Sequence, residues 1–215
     1  AELIDVALHE VRRLDSIVSN FLRAIRPVPP DLQPVELQKI LAESIRFMRR
    51  EIEERGIRVE ASLPKWLPTV MADAGQLKQA FFNIMKNGIQ AMPRGGLLSI
   101  DCTVSEDFVD VCFRDSGRGI SQDNMQRIMD PYFTTRRDGT GLGLLVVERI
   151  VRGHGAEFGI DSKEGEGTAF TVRFPRQNRQ ARLLQASRAE EETVDILPET
   201  KVNDEDELRA NRDKE

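Results

Sequence analysis

Asp138-Gly139-Thr140-Gly141-Leu142-Gly143-Leu144-Leu145-Val146-Val147 places three glycines at alternate positions and then runs directly into apolar residues with helical spacing. Glycine lets a backbone wrap closely around a polyphosphate, and the free N–H groups at the start of the following helix attract an anion. Glycines also end helices and form tight turns. The stretch therefore takes its meaning from what stands upstream.

Immediately before it, Pro131-Tyr132-Phe133-Thr134-Thr135-Arg136-Arg137 is rich in hydroxyls and arginines and lacks apolar periodicity. A polar lid over 131–140 and a plain surface loop both fit. Further back, Asp115-Ser116-Gly117-Arg118-Gly119-Ile120 directly follows a strand-like run. A carboxylate there can accept a hydrogen bond from an exocyclic amine such as that of adenine, and an ordinary strand-exit turn reads equally well. Asn83 and Asn87 stand four apart on a predicted helix and so share one face. A neutral carboxamide oxygen can complete the shell of a magnesium ion otherwise held by phosphates and water, although two asparagines on a polar face need no such role.

The elements around these segments follow from periodicity and punctuation. Residues 1–26 read as an amphipathic helix with a heptad seam of Ile4, Ala7, Val11, Leu14, Val18, Phe21 and Ile25, stopped at Pro27. A second helix spans 35–55, and a third spans 74–92 with Leu77, Ala80, Phe81, Ile84, Met85 and Ile89 on one face. A short helix is expected near 122–129 and another over 142–153, ending at Gly153-His154-Gly155. Strands are expected at 57–63, 68–71, 97–104, 108–114, 158–162 and 168–174, the last two joined by Gly165-Glu166-Gly167. After about 178 the acidic runs Glu190-Glu191-Glu192 and Asp204-Glu205-Asp206-Glu207 predict a solvated tail.

A net charge of −5, with no basic stripe interleaved with aromatics, argues against nucleic acid as a partner. Cys102 and Cys112 lack metal-ligand spacing and read as reduced strand residues. No apolar run approaches the length of about 18 residues that spans a bilayer. The start inside a helical pattern reads as a boundary within a longer protein.

In this order and at these intervals, the segments resemble the ATP-binding catalytic domain of sensor histidine kinases in two-component systems. That domain lies within the wider superfamily of gyrase and heat-shock chaperones (the GHKL or Bergerat fold). The matching pieces are an N box (Asn83 to Asn87), a G1 box (Asp115 to Gly119), an F box (Tyr132 to Thr135) and a G2 box (Gly139 to Gly143), flanked by Asp73 with Gln76 to Gln79 and by Gly165 to Thr168. The resemblance implies an α+β fold, an α/β sandwich with a mixed sheet covered on one face by helices and preceded by one long bundle helix. It divides the chain into a second hairpin helix (1–27), a linker (28–34), the catalytic domain (35–176) and a charged tail (177–215).

The resemblance also implies ATP and Mg2+ as ligands. Asn87 would hold the metal, with Asn83 close to the same phosphates. Asp115 would receive the adenine amine, with Gly117 and Gly119 allowing close approach. Thr134, Thr135, Arg136, Gly139, Thr140, Gly141, Leu142 and Gly143 would form the lid and phosphate loop, with Lys86 as a further phosphate contact. Hydrolysing relatives carry glutamate at the Asn83 position. Asparagine cannot act as a general base, which favours transfer to a protein over hydrolysis. The short lid matches the nitrogen-regulation-like subgroup. Implied partners are a response regulator receiver domain and a second copy of the full-length kinase, in the cytoplasm, with a parent that can be membrane-anchored. The alternatives are a degenerate nucleotide-binding or interaction module and a gyrase- or chaperone-type ATPase.

Two histidines could accept the phosphoryl group. His154 reads as a helix-end residue. His9-Glu10-Val11-Arg12 imitates the start of the family's acceptor motif, but Leu14 stands where its proline belongs and Pro27 leaves no length for the rest of a hairpin. The acceptor is therefore expected outside the chain, with His9 as the alternative, and the chain is expected to bind ATP without phosphorylating itself.

Overall fold

The computed structural model describes residues 29–136 and 139–176, all within the first of two units, Ala1–Arg179. The predicted helix over 1–26 with His9, the lid residues Arg137 and Asp138, and the tail from 177, including the second unit Gln180–Glu215, lie outside the described residues.

Strand β1 (Gln33–Val35) leads into helix α1 (Leu37–Glu54). Leu37, Ile40, Leu41, Met48 and Ile52 recur at helical spacing and are buried. Ser44 shares that buried face because its hydroxyl donates to Ile40 O at 2.8 Å, which removes the cost of an unpaired polar group. Gly56 follows the helix at φ +62°, a left-handed position that stops it. Strands β2 (Ile57–Ser62) and β3 (Val70–Ala72) come next, then helix α2 (Ala74–Ala91). Asp73 caps α2 by accepting from Gln76 N at 3.0 Å.

The hairpin of β4 (Gly96–Val104) and β5 (Phe108–Asp115) is followed by one helical turn, α3 (Gln122–Met125). Helix α4 (Gly143–Gly153) and the hairpin of β6 (Glu157–Lys163) and β7 (Gly167–Pro175) complete the domain. The main sheet has the order β2-β4-β5-β7-β6. Only β2 and β4 pair in parallel, with Ile57 opposite Gly96, while the other neighbours are antiparallel. A parallel pair needs a crossover, and α2 supplies it. Alternate residues of β4 and β5 (Leu98, Ile100, Cys102; Val109, Val111, Phe113) are buried and pack with the helices in one hydrophobic core. Phe81 of α2 meets Phe113 of β5 with ring centroids 5.2 Å apart, and burying such a side chain stabilises by about 2–3 kcal/mol. This is the expected mixed sheet with helices against it.

Two expectations need correction. The linker predicted over 28–34 is not all linker, because Gln33 and Pro34 belong to β1, which pairs antiparallel with β3 (Gln33 opposite Ala72). A three-residue strand carrying proline gives no period to read, and its partner lies far along the chain. The helix predicted near 122–129 closes after Met125 into successive i→i+3 turns, Arg127 N to Asn124 O and Asp130 N to Arg127 O. Pro131 biases Asp130 away from helical geometry. Among the described residues no helix is long and apolar enough to cross a membrane.

Candidate functional site

A cavity of about 390 Å³ opens between α2, the end of β5, α3, the lid and the start of α4. Helix α2 presents Asn83, Lys86, Asn87, Gln90 and Ala91 to it, a row set by steps of one, three and four residues. The opposite side of the helix, with Phe81, Ile84, Met85 and Ile89, is packed in the core, so the hydrophobic pattern that buries α2 also aims the asparagines into the cavity.

Asp115 is the deepest charged group, only 3% exposed at the end of β5. Burial pushes its carboxyl up to about 6, while the N–H groups of Gly117 (2.9 Å) and Thr168 donate to it and hold it lower than burial alone would. Gly88 of α2 gives it room: a Cβ there would lie 3.2 Å from Asp115 Cβ. Gly119, at φ +67°, passes so close to the β6–β7 turn that a Cβ would sit 2.0 Å from Lys163 O. Gly165 N donates to Arg118 O at 2.7 Å across the same junction. The loop after β5 and that turn are thus fastened together.

The lid is pinched at its foot by the bond from Tyr132 N to Gly141 O, 3.1 Å. Both residues have left-handed φ, +66° each, and a Cβ on Gly141 would lie 2.3 Å from Tyr132 C. Glycine is required there for this close approach. Thr134 Oγ1 accepts from Arg136 N at 3.1 Å inside the lid, and Arg118 donates from its guanidinium to Thr135 Oγ1 at 3.1 Å. Helix α4 starts at Gly143 without a side-chain cap, leaving its first amides to the cavity wall. Asn83 Nδ2 donates to Gly143 O at 3.4 Å and bridges α2 to that start. Lys86 Nζ lies 5.5 Å from the centre of the Phe82 ring at the cavity rim.

Of the residues singled out from sequence, Asn83, Lys86, Asn87, Asp115, Gly119, Thr134, Thr135, Arg136, Gly139, Thr140, Gly141 and Gly143 line one cavity. Gly117 and Leu142 do not. A Cβ on Gly117 would meet Ala91 Cβ and Asp115 Oδ1 at 2.7 Å, so packing against the end of α2 demands glycine there, and Leu142 is buried. Sequence reasoning did not single out Gln90, Asn124 and Phe170 on the wall, and it placed Phe133 in the F box and Thr168 in the last flank without giving either a site role. Gln90 was detectable from its helical spacing after Asn83 and Asn87. Thr168 and Phe170 reach the site only through the pairing of β7 with β5.

Among the described residues no group of three or more His, Cys, Asp or Glu could hold a metal ion. The donor set at the cavity, carboxamides with no acidic cluster, suits a magnesium ion that keeps water and phosphate as its main ligands.

A helix-backed mixed sheet whose Asn-bearing helix, buried aspartate and glycine-pinched lid surround one cavity is the architecture of a class of ATPase domains. The chain belongs to the family of histidine kinase-, DNA gyrase B- and HSP90-like ATPases, which it matches over residues 72–178. Sensor histidine kinase ZraS of Escherichia coli (strain K12) is 36% identical over 174 residues, which cover 81% of this chain and 37% of that protein. Sporulation kinase E of Bacillus subtilis (strain 168) is 32% identical over 180 residues, 83% of this chain and 24% of that one. The crystal structure of full-length ShkA in complex with AMPPNP matches with a TM-score of 0.71 at 27% identity, over 81% of this chain and 39% of that one. The chain spans less than half the length of the curated relatives it matches.

Proposed function

We propose that the chain is the ATP- and magnesium-binding catalytic part of a two-component sensor histidine kinase. It donates the γ-phosphoryl group of ATP to a histidine supplied from outside the chain, for relay to an aspartate of a response regulator receiver domain. One observation carries the reading: Asn83, Asn87, Asp115 and the loop Gly139–Gly143 converge on a single cavity although up to 60 residues separate them. Asp115 receives the adenine amine. The amides at the start of α4, with Lys86 and Arg136, face the phosphates. Asn87 holds the magnesium ion, which supplies charge neutralisation at the triphosphate. Phosphoryl transfer is mainly positioning and electrostatic stabilisation, so the domain needs no acid or base beside the γ-phosphate. Asn83, unable to activate water, supports transfer rather than hydrolysis. The few residues between Thr135 and Gly139 favour the nitrogen-regulation-like subgroup.

The test is calorimetric titration with ATP and GTP, with and without magnesium. ATP is expected to bind and GTP not, and Asn87→Ala should abolish the magnesium enhancement. With γ-labelled ATP, acid-labile label should appear on a histidine-bearing helical hairpin supplied in trans, with His9→Gln leaving it unchanged. Label on His9 would relocate the acceptor. Failure to bind ATP would leave an interaction module, and steady release of phosphate without an acceptor would indicate a gyrase- or chaperone-type ATPase.

A further inference from the structure

His154 follows α4, only 4% exposed, at the end of the helix remote from the cavity. Its Nε2 accepts from Asp73 N–H at 2.9 Å, and its Nδ1 lies 2.6 Å from Ile150 O. An amide can only donate, so Nε2 is the unprotonated nitrogen and Nδ1 carries the hydrogen given to Ile150. A residue needed only to finish a helix would be served by the Ile150 bond. The bond to Asp73 crosses to another element, 81 residues away in sequence.

Asp73 is the N-cap of α2, the helix that carries Asn83 and Asn87. Helices α2 and α4 are therefore tied at two places. At one end His154 holds Asp73, and at the other Asn83 Nδ2 holds Gly143 O. Along α2 the ties are ten residues apart and along α4 eleven, which at 1.5 Å per residue gives about 15 Å and about 16 Å. The two spans match, so the far tie sets the register at the near one. We infer that His154 is a positioning residue for the phosphate end of the cavity. It fixes the axial register of α4 against α2, so that the free amides at Gly143 and Leu144 stand opposite Asn83 and Asn87.

This inference rests on the cavity being a nucleotide site. Glutamine can place Oε1 where Nε2 accepts, keeping the tie to Asp73. Asparagine can place Nδ2 where Nδ1 donates, keeping only the local bond to Ile150. The experiment compares His154→Gln, His154→Asn and His154→Ala in the full chain, with folding followed by circular dichroism and denaturant midpoint. Titration with magnesium AMPPNP should give Gln within about threefold of the parent chain and Asn about tenfold weaker, both folded. Amide shifts of Gly143 and Leu144, read by NMR without nucleotide, should move in Asn and stay in Gln. Equal affinities and equal shifts in the two variants would overturn the inference. If the parent chain bound no AMPPNP, the nucleotide reading would fall, and the amide shifts alone would still decide the register claim. If Ala does not fold, the Gln and Asn pair is sufficient.

Discussion

Asp115 sets how the cavity responds to pH. Burial raises its carboxyl from an ordinary 3.8 to about 6. A carboxyl whose folded value is raised contributes stability that is fully present below its unfolded value and is lost as pH rises through about 6. Near neutrality the carboxylate is charged, little solvated and ready for a donor, which on the proposed function is the adenine amine. Binding at pH 5 must first remove a proton, so ATP affinity should be about tenfold weaker at pH 5 than at pH 7.5, with proton release measurable by calorimetry in buffers of different ionisation heat. Asp115→Asn should bind about 10–100-fold more weakly with a flat pH profile, because its amide would face the N–H groups of Gly117 and Thr168. Gly119→Ala tests the adjoining loop. Its Cβ would collide with Lys163 backbone at a left-handed φ, and a loss of about 3 kcal/mol or more in denaturant unfolding is expected. The residue scale was partly legible in sequence: Asn83, Asn87 and Asp115 carry donors and acceptors that betray them. Gly88 carries nothing, and its necessity depends on the side chains of Asp115 and Leu98 that pack against it.

At the level of elements, α2 does two tasks, packing one face and presenting the other to the cavity. Asp73→Ala removes the cap bond to Gln76 and the contact with Asp31 N, and should cost about 1 kcal/mol in stability. Gly88→Val tests the packing of α2 on β5. The added methyls would press on Asp115 and on Leu98 Cδ1, 3.5 Å from even a bare Cβ, so nucleotide affinity should fall while the helix content seen by circular dichroism persists. The helices and long strands were readable because a hydrophobic period repeats within each, as with Leu77, Ala80, Phe81 and Ile84. Strand β1 was not, since its reason for existing is β3, and pairing between distant segments leaves no local trace. His154 was read as a helix end, which it is. Its bond to Asp73 could be found only once the two helices lay side by side.

Taken whole, the domain keeps its two thiols in different surroundings. Cys102 is 5% exposed, and burial pushes its thiol up to about 12, whereas Cys112 lies on the other side of the sheet, half-buried. A maleimide reagent should label Cys112 readily in the native protein and reach Cys102 only on unfolding, as mass spectrometry would show. The order of the strands was beyond sequence reading for the same reason as Thr168 and Phe170: the sheet joins β7 to β5 across α4, and the cavity wall is completed by that closure. The pinch between Tyr132 and Gly141 has a consequence for the whole molecule. It turns the intervening eight residues into a short tether with both feet fixed, and half that length, fully extended, reaches only about 13 Å. On the proposed function, a tether this short cannot reach out for an acceptor, so the residue that receives the phosphoryl group must travel to the mouth of the cavity.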